Sequence, residues 1–293
     1  MNHIAAKRQK GVTLVELMIS LALGLVISGA VIQIMVSNSV TDKFNKAVAS
    51  AQENGRYIMS RLRDDLLMTG LYDPLSPNLS RLVDIVEEGA FVRNHPIPVP
   101  GDFPSRPALG AQQGADGAND TLVVSLQSDR DCRAYDLGYA RVAPVPDEEF
   151  YVVNEYFVED GKLKCRGFDG RVVRGQKVAV GHNGHAGVTL LDDVLSFQVV
   201  YGITRIGATN GTTRPIQYIS AEELPQAYIN NSHVVAVRIA LVVRGDGEGF
   251  VTQPSRFKLL NEDGITAPDL GLYKAFETTI TLRNTKNFAR GAA

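Results

Sequence analysis

The sequence has no tryptophan, only two cysteines and almost no net charge, with 30 Lys and Arg against 32 Asp and Glu leaving −2. A near-neutral balance lacks the basic field that a nucleic-acid binder uses, so no nucleic-acid partner is expected. Gly-x-Ser-x-Gly, His-Glu-x-x-His and the phosphate loop are missing, and with them the commonest hydrolytic and nucleotide-binding signatures. No enzymatic activity and no cofactor are expected. Charge is also missing from one long stretch. Between Val12 and Val40 the only ionisable side chain is Glu16.

That stretch organises the rest. An apolar run longer than 18 residues is a candidate to span a lipid bilayer, whose hydrocarbon core is about 30 Å thick. Lys7, Arg8 and Lys10 precede it, which orients the N-terminus toward the cytoplasm. A cleaved secretory signal would have a shorter apolar core and a small-x-small site behind it. Here Ile27-Ser-Gly-Ala30 runs on into Val-Ile-Gln-Ile-Met-Val. A carboxylate held within a bilayer costs a few kcal/mol and is functional by default, which singles out Glu16.

Beyond Val40 the chain turns polar but keeps a helical period. Phe44, Val48, Ala51, Ile58, Leu62 and Leu66 form an amphipathic stripe. Arg61 and Asp65 stand four apart on a more polar face. No proline interrupts Val12 to Tyr72, so one helix is expected from Val12 to Met68. Gly70 fits its C-terminal stop, with Pro74 beyond. Ser20, Gly24 and Ser28 form a small-xxx-small ladder that allows close helix packing.

Residues 71–118 hold seven prolines and a glycine-rich end, and read as a long loop layer with a short helix at 80–86. From Asp120 onward strand signals dominate: Thr121–Leu126, Phe150–Val158, Lys162–Phe168, Val194–Tyr201, Val234–Val243 and Phe276–Leu282, with shorter pieces at 172–173 and 177–180. Asp160-Gly161 marks a hairpin turn. Val234–Val243 is apolar on both faces, as a central strand is.

The basic leader, Gly11, the apolar helix and Glu16 together resemble the class III signal of type IV pilins and pseudopilins. Val235–Gly245 and Phe276–Asn284 are similar to the late strands of PilW-type minor pilins, and Leu191–Gly202 to the strand before them. The fold this implies is α+β and type IV pilin-like, with a long N-terminal helix packed on an antiparallel β-rich domain. The division is a leader at 1–11, a membrane or filament-core half-helix at 12–40, an amphipathic half at 41–69 and a periplasmic domain at 70–293.

The resemblance also implies processing. A prepilin peptidase would cut between Gly11 and Val12 and N-methylate Val12, where the family usually has Phe. Glu16 would pair with the terminal amine of a neighbouring subunit and set the axial register. The implied partners are other minor pilins and the major pilin through the first helix, the inner-membrane assembly platform, the bilayer before assembly, and a large tip adhesin. The alternatives are a J-type pseudopilin of type II secretion and an unprocessed, single-pass anchored protein.

The implied topology puts Cys132 and Cys165 in the periplasm, where disulfides persist. A bond there would close a loop of about thirty residues and add about 3–4 kcal/mol; two free buried thiols and a metal pair are the alternatives. His182 and His185 lack a third ligand nearby and read as loop residues. Asp116, Asn119, Asp120, Asp246 and Glu248 are candidate calcium ligands, but neither group matches the twelve-residue loop pattern, and both read as turns. Gly245, Gly247 and Gly249 follow a strand without a helix pattern behind them, so no dinucleotide site and no metal site are expected.

Overall fold

The structure, a computed structural model, describes residues 11–115, 117–139, 148–181, 187–205 and 214–285. The chain divides into two compact units, 1–47 and 48–293. Helix α1, Leu14–Leu67, runs through that boundary.

In the first unit α1 is apolar and bare. Val12, Leu14, Leu17, Leu21, Leu25 and Ile32 are all more than half exposed. A helix apolar all round is stable only where something apolar surrounds it. A Cβ added at Gly24 or Gly29 would meet no atom, so these glycines relieve no crowding inside the chain. Ser20 and Thr41 turn their hydroxyls back onto the carbonyls of Glu16 (2.8 Å) and Ser37 (2.9 Å). Polar hydroxyls are thereby satisfied within the helix.

The second unit is β-rich. Strands β1 (Leu122–Ser128), β2 (Phe150–Glu159), β3 (Lys162–Asp169) and β4 (Val188–Leu191) form one antiparallel sheet in that order. A second sheet has the order β10-β7-β5-β6, from β5 (Val194–Arg205), β6 (Gln217–Ile219), β7 (Ser232–Arg244) and β10 (Tyr273–Thr281). Strands β8 (Arg256–Leu259) and β9 (Glu262–Thr266) make a separate hairpin. Asp160 and Gly161 both have positive φ, 53° and 69°, the backbone that a two-residue hairpin needs.

Three apolar clusters hold this unit. The largest joins Ile58, Leu62 and Leu66 of α1 to one face of each sheet, including Val124, Val152, Phe197, Val237 and Ile280. Each buried aliphatic side chain stabilises by about 1.5–3 kcal/mol. A second cluster lies on the other face of the first sheet, where Val123, Tyr151, Val153 and Phe168 meet Tyr72, Leu79, Val92, Phe103 and Leu109. The third sets Ala240 and Val242 of β7 against Leu259 and Ile265 of the β8–β9 hairpin. Strand β7 is therefore apolar on both faces because both are covered.

The proline-rich segment is thus core. Pro96, Ile97, Pro98 and Val99 are buried. The segment also fills the open edge of β1: Ser125 N donates to Pro96 O (3.0 Å), Gln127 N to Leu71 O (2.9 Å), and Gly70 N to Ser125 O (2.8 Å). Gly70 has φ +74°, where a Cβ would be strained.

Two expectations for local structure are corrected. The short helix is α2, Ile85–Asn94, not 80–86, because Asp84 Oδ1 accepts from Val86 N (2.8 Å) and Glu87 N (3.3 Å) and starts it there. Residues 172–173 lie in the helical turn α3, Gly170–Val173, which Asp169 caps; residues 177–180 are irregular. A further short helix, α4, spans Leu224–Ile229.

A buried ion pair ties the loop layer to α3. Glu88 and Arg171 are fully buried and meet through two hydrogen bonds, 2.7 and 2.8 Å. Tyr72 Oη donates to Glu88 (2.8 Å) and Arg171 Nη2 to Ser80 O (2.7 Å). The remaining hydrogen-bonding capacity of both ions is largely used, the condition for tolerating such a pair.

Candidate functional site

Gly11, Val12 and Glu16 lie together at the start of α1, and all are exposed. Thr13 joins them. Thr13 N and Oγ1 each donate to Glu16 Oε2 at 3.2 Å, and Glu16 N donates to Thr13 Oγ1 at 3.3 Å. This reciprocal arrangement is a capping box: a Thr before the first turn and a Glu three residues on satisfy each other's backbone amides. The signal for it, Thr13-Leu-Val-Glu16, stands in the sequence, and Thr13 joins the candidate residues only through this cap. Oε2 already accepts both Thr13 donors, which leaves Glu16 Oε1 with capacity for a further donor. The site can therefore present an anionic acceptor at a helix start, among apolar side chains.

The basic leader Lys7, Arg8 and Lys10 lies outside the described residues, as do Asp116, His182 and His185.

In the second unit Cys132 and Cys165 form a disulfide, with Cα atoms 6.4 Å apart. It fastens the turn after β1 to β3. Around it, Cys132 N donates to Asn154 Oδ1 (3.0 Å) and Arg61 Nη2 to Cys132 O (3.0 Å). Arg61 Nε also reaches Asp65 Oδ2 (3.3 Å), which accepts from Tyr156 Oη (2.9 Å). The Arg61–Asp65 pair thus faces the disulfide and β2. Burial pushes the Asp65 carboxyl up, against the pull of Arg61 and Tyr156. Burial likewise raises the Tyr156 hydroxyl well above its ordinary value, with Asp65 adding to it.

The candidate calcium residues Asn119 and Asp120 serve the backbone. Asn119 Oδ1 accepts from Phe197 N (2.7 Å); Asp120 accepts from Gly114 N (2.8 Å) and Val199 N (2.7 Å). Gly247 and Gly249 have positive φ and lead toward the β8–β9 hairpin, not a helix. Among the described residues no three His, Cys, Asp or Glu side chains converge as metal ligands.

Two family comparisons fit this geometry. Residues 6–32 match the prokaryotic N-terminal methylation motif, across the segment that carries Gly11, Val12 and Glu16. Residues 149–284 match Type IV Pilus-assembly protein W, from the start of β2 to just past β10. These two matches support a PilW-type pilin. Among solved structures, a type IV-like pilin from Thermus thermophilus is similar at 14% identity and a TM-score of 0.31, with 60% of this chain and 83% of that chain covered. Among curated proteins none matches this sequence. The chain has a long N-terminal helix followed by an antiparallel β-rich domain. Its first helix is long and apolar enough to cross a membrane, consistent with anchoring there.

Proposed function

We propose that this chain is a minor pilin that joins other minor pilins in the complex priming a type IV pilus and sitting at its tip. Its role is structural and not catalytic. A prepilin peptidase cuts between Gly11 and Val12 and methylates the new amine. The apolar half-helix holds the subunit in the inner membrane with the β-rich domain in the periplasm. On assembly Glu16 pairs with the amine of a neighbouring subunit, and the pilus serves motility and attachment.

The observation that carries this reading is the bare apolar helix with a single carboxylate at its start. A bilayer covers the apolar surface but leaves Glu16 costly; a bundle of like helices, each with a free amine, covers both. The family matches support it. The test is the intact mass and N-terminus of the protein extracted from membranes of cells that hold the peptidase. A chain starting at methylated Val12 supports the reading. A chain starting at Met1 overturns it and favours an unprocessed anchor. Pull-down of type II secretion components in place of pilus components would favour the pseudopilin alternative.

A further inference from the structure

We propose that the cleft between the turn at residues 106–109 and the outer face of β2 and β3 is a docking site for an acidic side chain of a partner protein. The cleft has a volume of about 310 Å³. Arg106, Pro107 and Leu109 of the turn line it, with Glu155, Arg166 and Phe168 of the strands. The turn is fixed by its backbone: Ser105 N donates to Val173 O (3.0 Å), Arg106 N to Phe103 O (3.0 Å) and Leu109 N to Arg106 O (2.9 Å). Phe103 and Leu109 are buried beneath it. Glu155 and Arg166 stand opposite each other in the β2–β3 register, so their side chains share a face. Phe168, two residues beyond Arg166, shares it too.

The observation that points to a ligand is a guanidinium held in place without an anion. Arg106 lies over the Phe168 ring, 4.8 Å from its centroid. Arg166 lies 5.9 Å from the same centroid and 4.7 Å from that of Phe157. Stacking on an aromatic face orients a planar cation and keeps its edge open for hydrogen bonds. Arg166 Nε donates to Glu155. Glu159, which also acts on Arg166, is matched by Lys164 at 2.5 Å. Among the described residues the Arg106 guanidinium forms no ion pair and no hydrogen bond. Two guanidiniums against the one carboxylate of Glu155 leave a single positive charge at the cleft. The five N–H donors of Arg106 stand available there.

That surplus selects the ligand. A carboxylate carries the one negative charge that balances it, and its two oxygens match the guanidinium fork. A phosphoryl group, at about −1.5 to −2, overshoots the balance. The volume lies at the lower end of the roughly 300–1,000 Å³ of ligand clefts, which suits one side chain more than an extended ligand. Pro107 and Leu109 offer an apolar wall to the methylenes of a glutamate, so the carboxylate and its stem both find complementary surface.

The test uses the full-length protein in detergent and two capped peptides, acetyl-Gly-Glu-Gly-amide and acetyl-Gly-Gln-Gly-amide, whose NMR signals report binding. The Glu peptide is expected to bind saturably, with an affinity that falls as salt rises, and the Gln peptide is not. Arg106→Gln is expected to weaken binding of the Glu peptide about tenfold. Arg106 is exposed, so this variant should keep the melting temperature of the wild type. Arg106→Lys keeps the charge and loses the fork, so its affinity should fall between the two. No saturable binding of the Glu peptide to the wild type overturns the proposal. Equal binding of the Gln peptide, or unchanged affinity in Arg106→Gln, overturns it as well. Free succinate or inorganic phosphate binding more tightly than the Glu peptide would overturn the partner side chain as the source of the anion. None of these readouts depends on pilus assembly, so their failure would leave the proposed function standing.

Discussion

The ring of Phe276 occupies the space where a Cβ on Gly55 would stand. The glycine belongs to α1 and the ring to β10, 221 positions later in the chain. Helix and edge strand touch there at closer range than any other residue type at 55 allows.

Replacing Gly55 therefore sets two effects against each other. Alanine gains about 1 kcal/mol of helix propensity, but crowding a packed site costs about 1–3 kcal/mol. Gly55→Ala is expected to lose about 1 kcal/mol net, read by thermal unfolding of the full-length protein in detergent. Gly55→Ala in a Phe276→Ala background should be neutral or stabilising, since the obstructing ring is gone. Equal losses in both backgrounds would show that the ring is not the obstacle.

The Glu88–Arg171 pair makes a sharper case. Removing one partner leaves a buried charge uncompensated and costs about 3–5 kcal/mol. Glu88→Ala is expected to melt far below wild type. Glu88→Leu combined with Arg171→Met should recover most of that loss. A double variant as unstable as the single one would mean that the pair's links to Tyr72 and Ser80, not the charges, fasten the loop layer.

Reduction of Cys132–Cys165 is expected to cost about 2–4 kcal/mol. Cys132→Ser with Cys165→Ser should match the reduced wild type in melting temperature and should not respond to reductant. A response to reductant in the double serine variant would place the effect outside this bond.

Asp120 gives a pH dependence with a definite sign. Its folded value, about 6, lies above the ordinary carboxylate value of 3.8. Its stabilising contribution is full below pH 3.8 and is lost as pH rises through 6. The wild type should therefore gain stability relative to Asp120→Asn as pH falls from 7 to 4, by at most about 2–3 kcal/mol. His233, lowered mainly by burial and also by His95, acts in the opposite sense, with stability lost as pH falls through its folded value. Comparison with Asp120→Asn at each pH separates the two. Parallel stability curves for the two proteins would remove the claim for Asp120.

At the other end of the chain, Glu16→Ala is expected to leave cleavage after Gly11 intact and to lower incorporation into pili severalfold, scored by immunoblot of sheared pili. Thr13→Val keeps the carboxylate and removes one hydroxyl of the cap, so its effect should be smaller. Wild-type incorporation of Glu16→Ala would separate this carboxylate from assembly.

Much of this architecture is legible in the sequence wherever one local rule dominates. The apolar run and its lone carboxylate mark the first half of α1, and the stripe through Ile58, Leu62 and Leu66 marks the buried side of the second. Asp160-Gly161 fixes the β2–β3 hairpin, and two-sided apolarity marks β7. What escaped depends on partners far away. Strands β4 and β6 have only four and three residues, too few for a period to stand out. Val172 and Val173 favour a strand by type, but the cap from Asp169 and the burial of Arg171 against Glu88 turn them into α3. The proline-rich segment is polar enough to read as loop, and its burial comes from the outer face of the first sheet. At the candidate site Gly11, Val12 and Glu16 stand out by pattern. Thr13 is missed because its role appears only when the helix start is seen.

The last carbonyls of α1 lack partners within the helix, and Asn284 supplies one: its Nδ2 donates to Leu67 O and Thr69 O, each at 3.2 Å. The helix that is made first is thus closed by a side chain more than two hundred residues downstream. During synthesis α1 emerges with this end open, and it stays open until β10 has passed and Asn284 arrives. Contacts of such long range form slowly because the intervening chain must be ordered first. Any subunit cut short before Asn284 keeps its helix but leaves it unfastened, so only a complete chain can carry the finished joint.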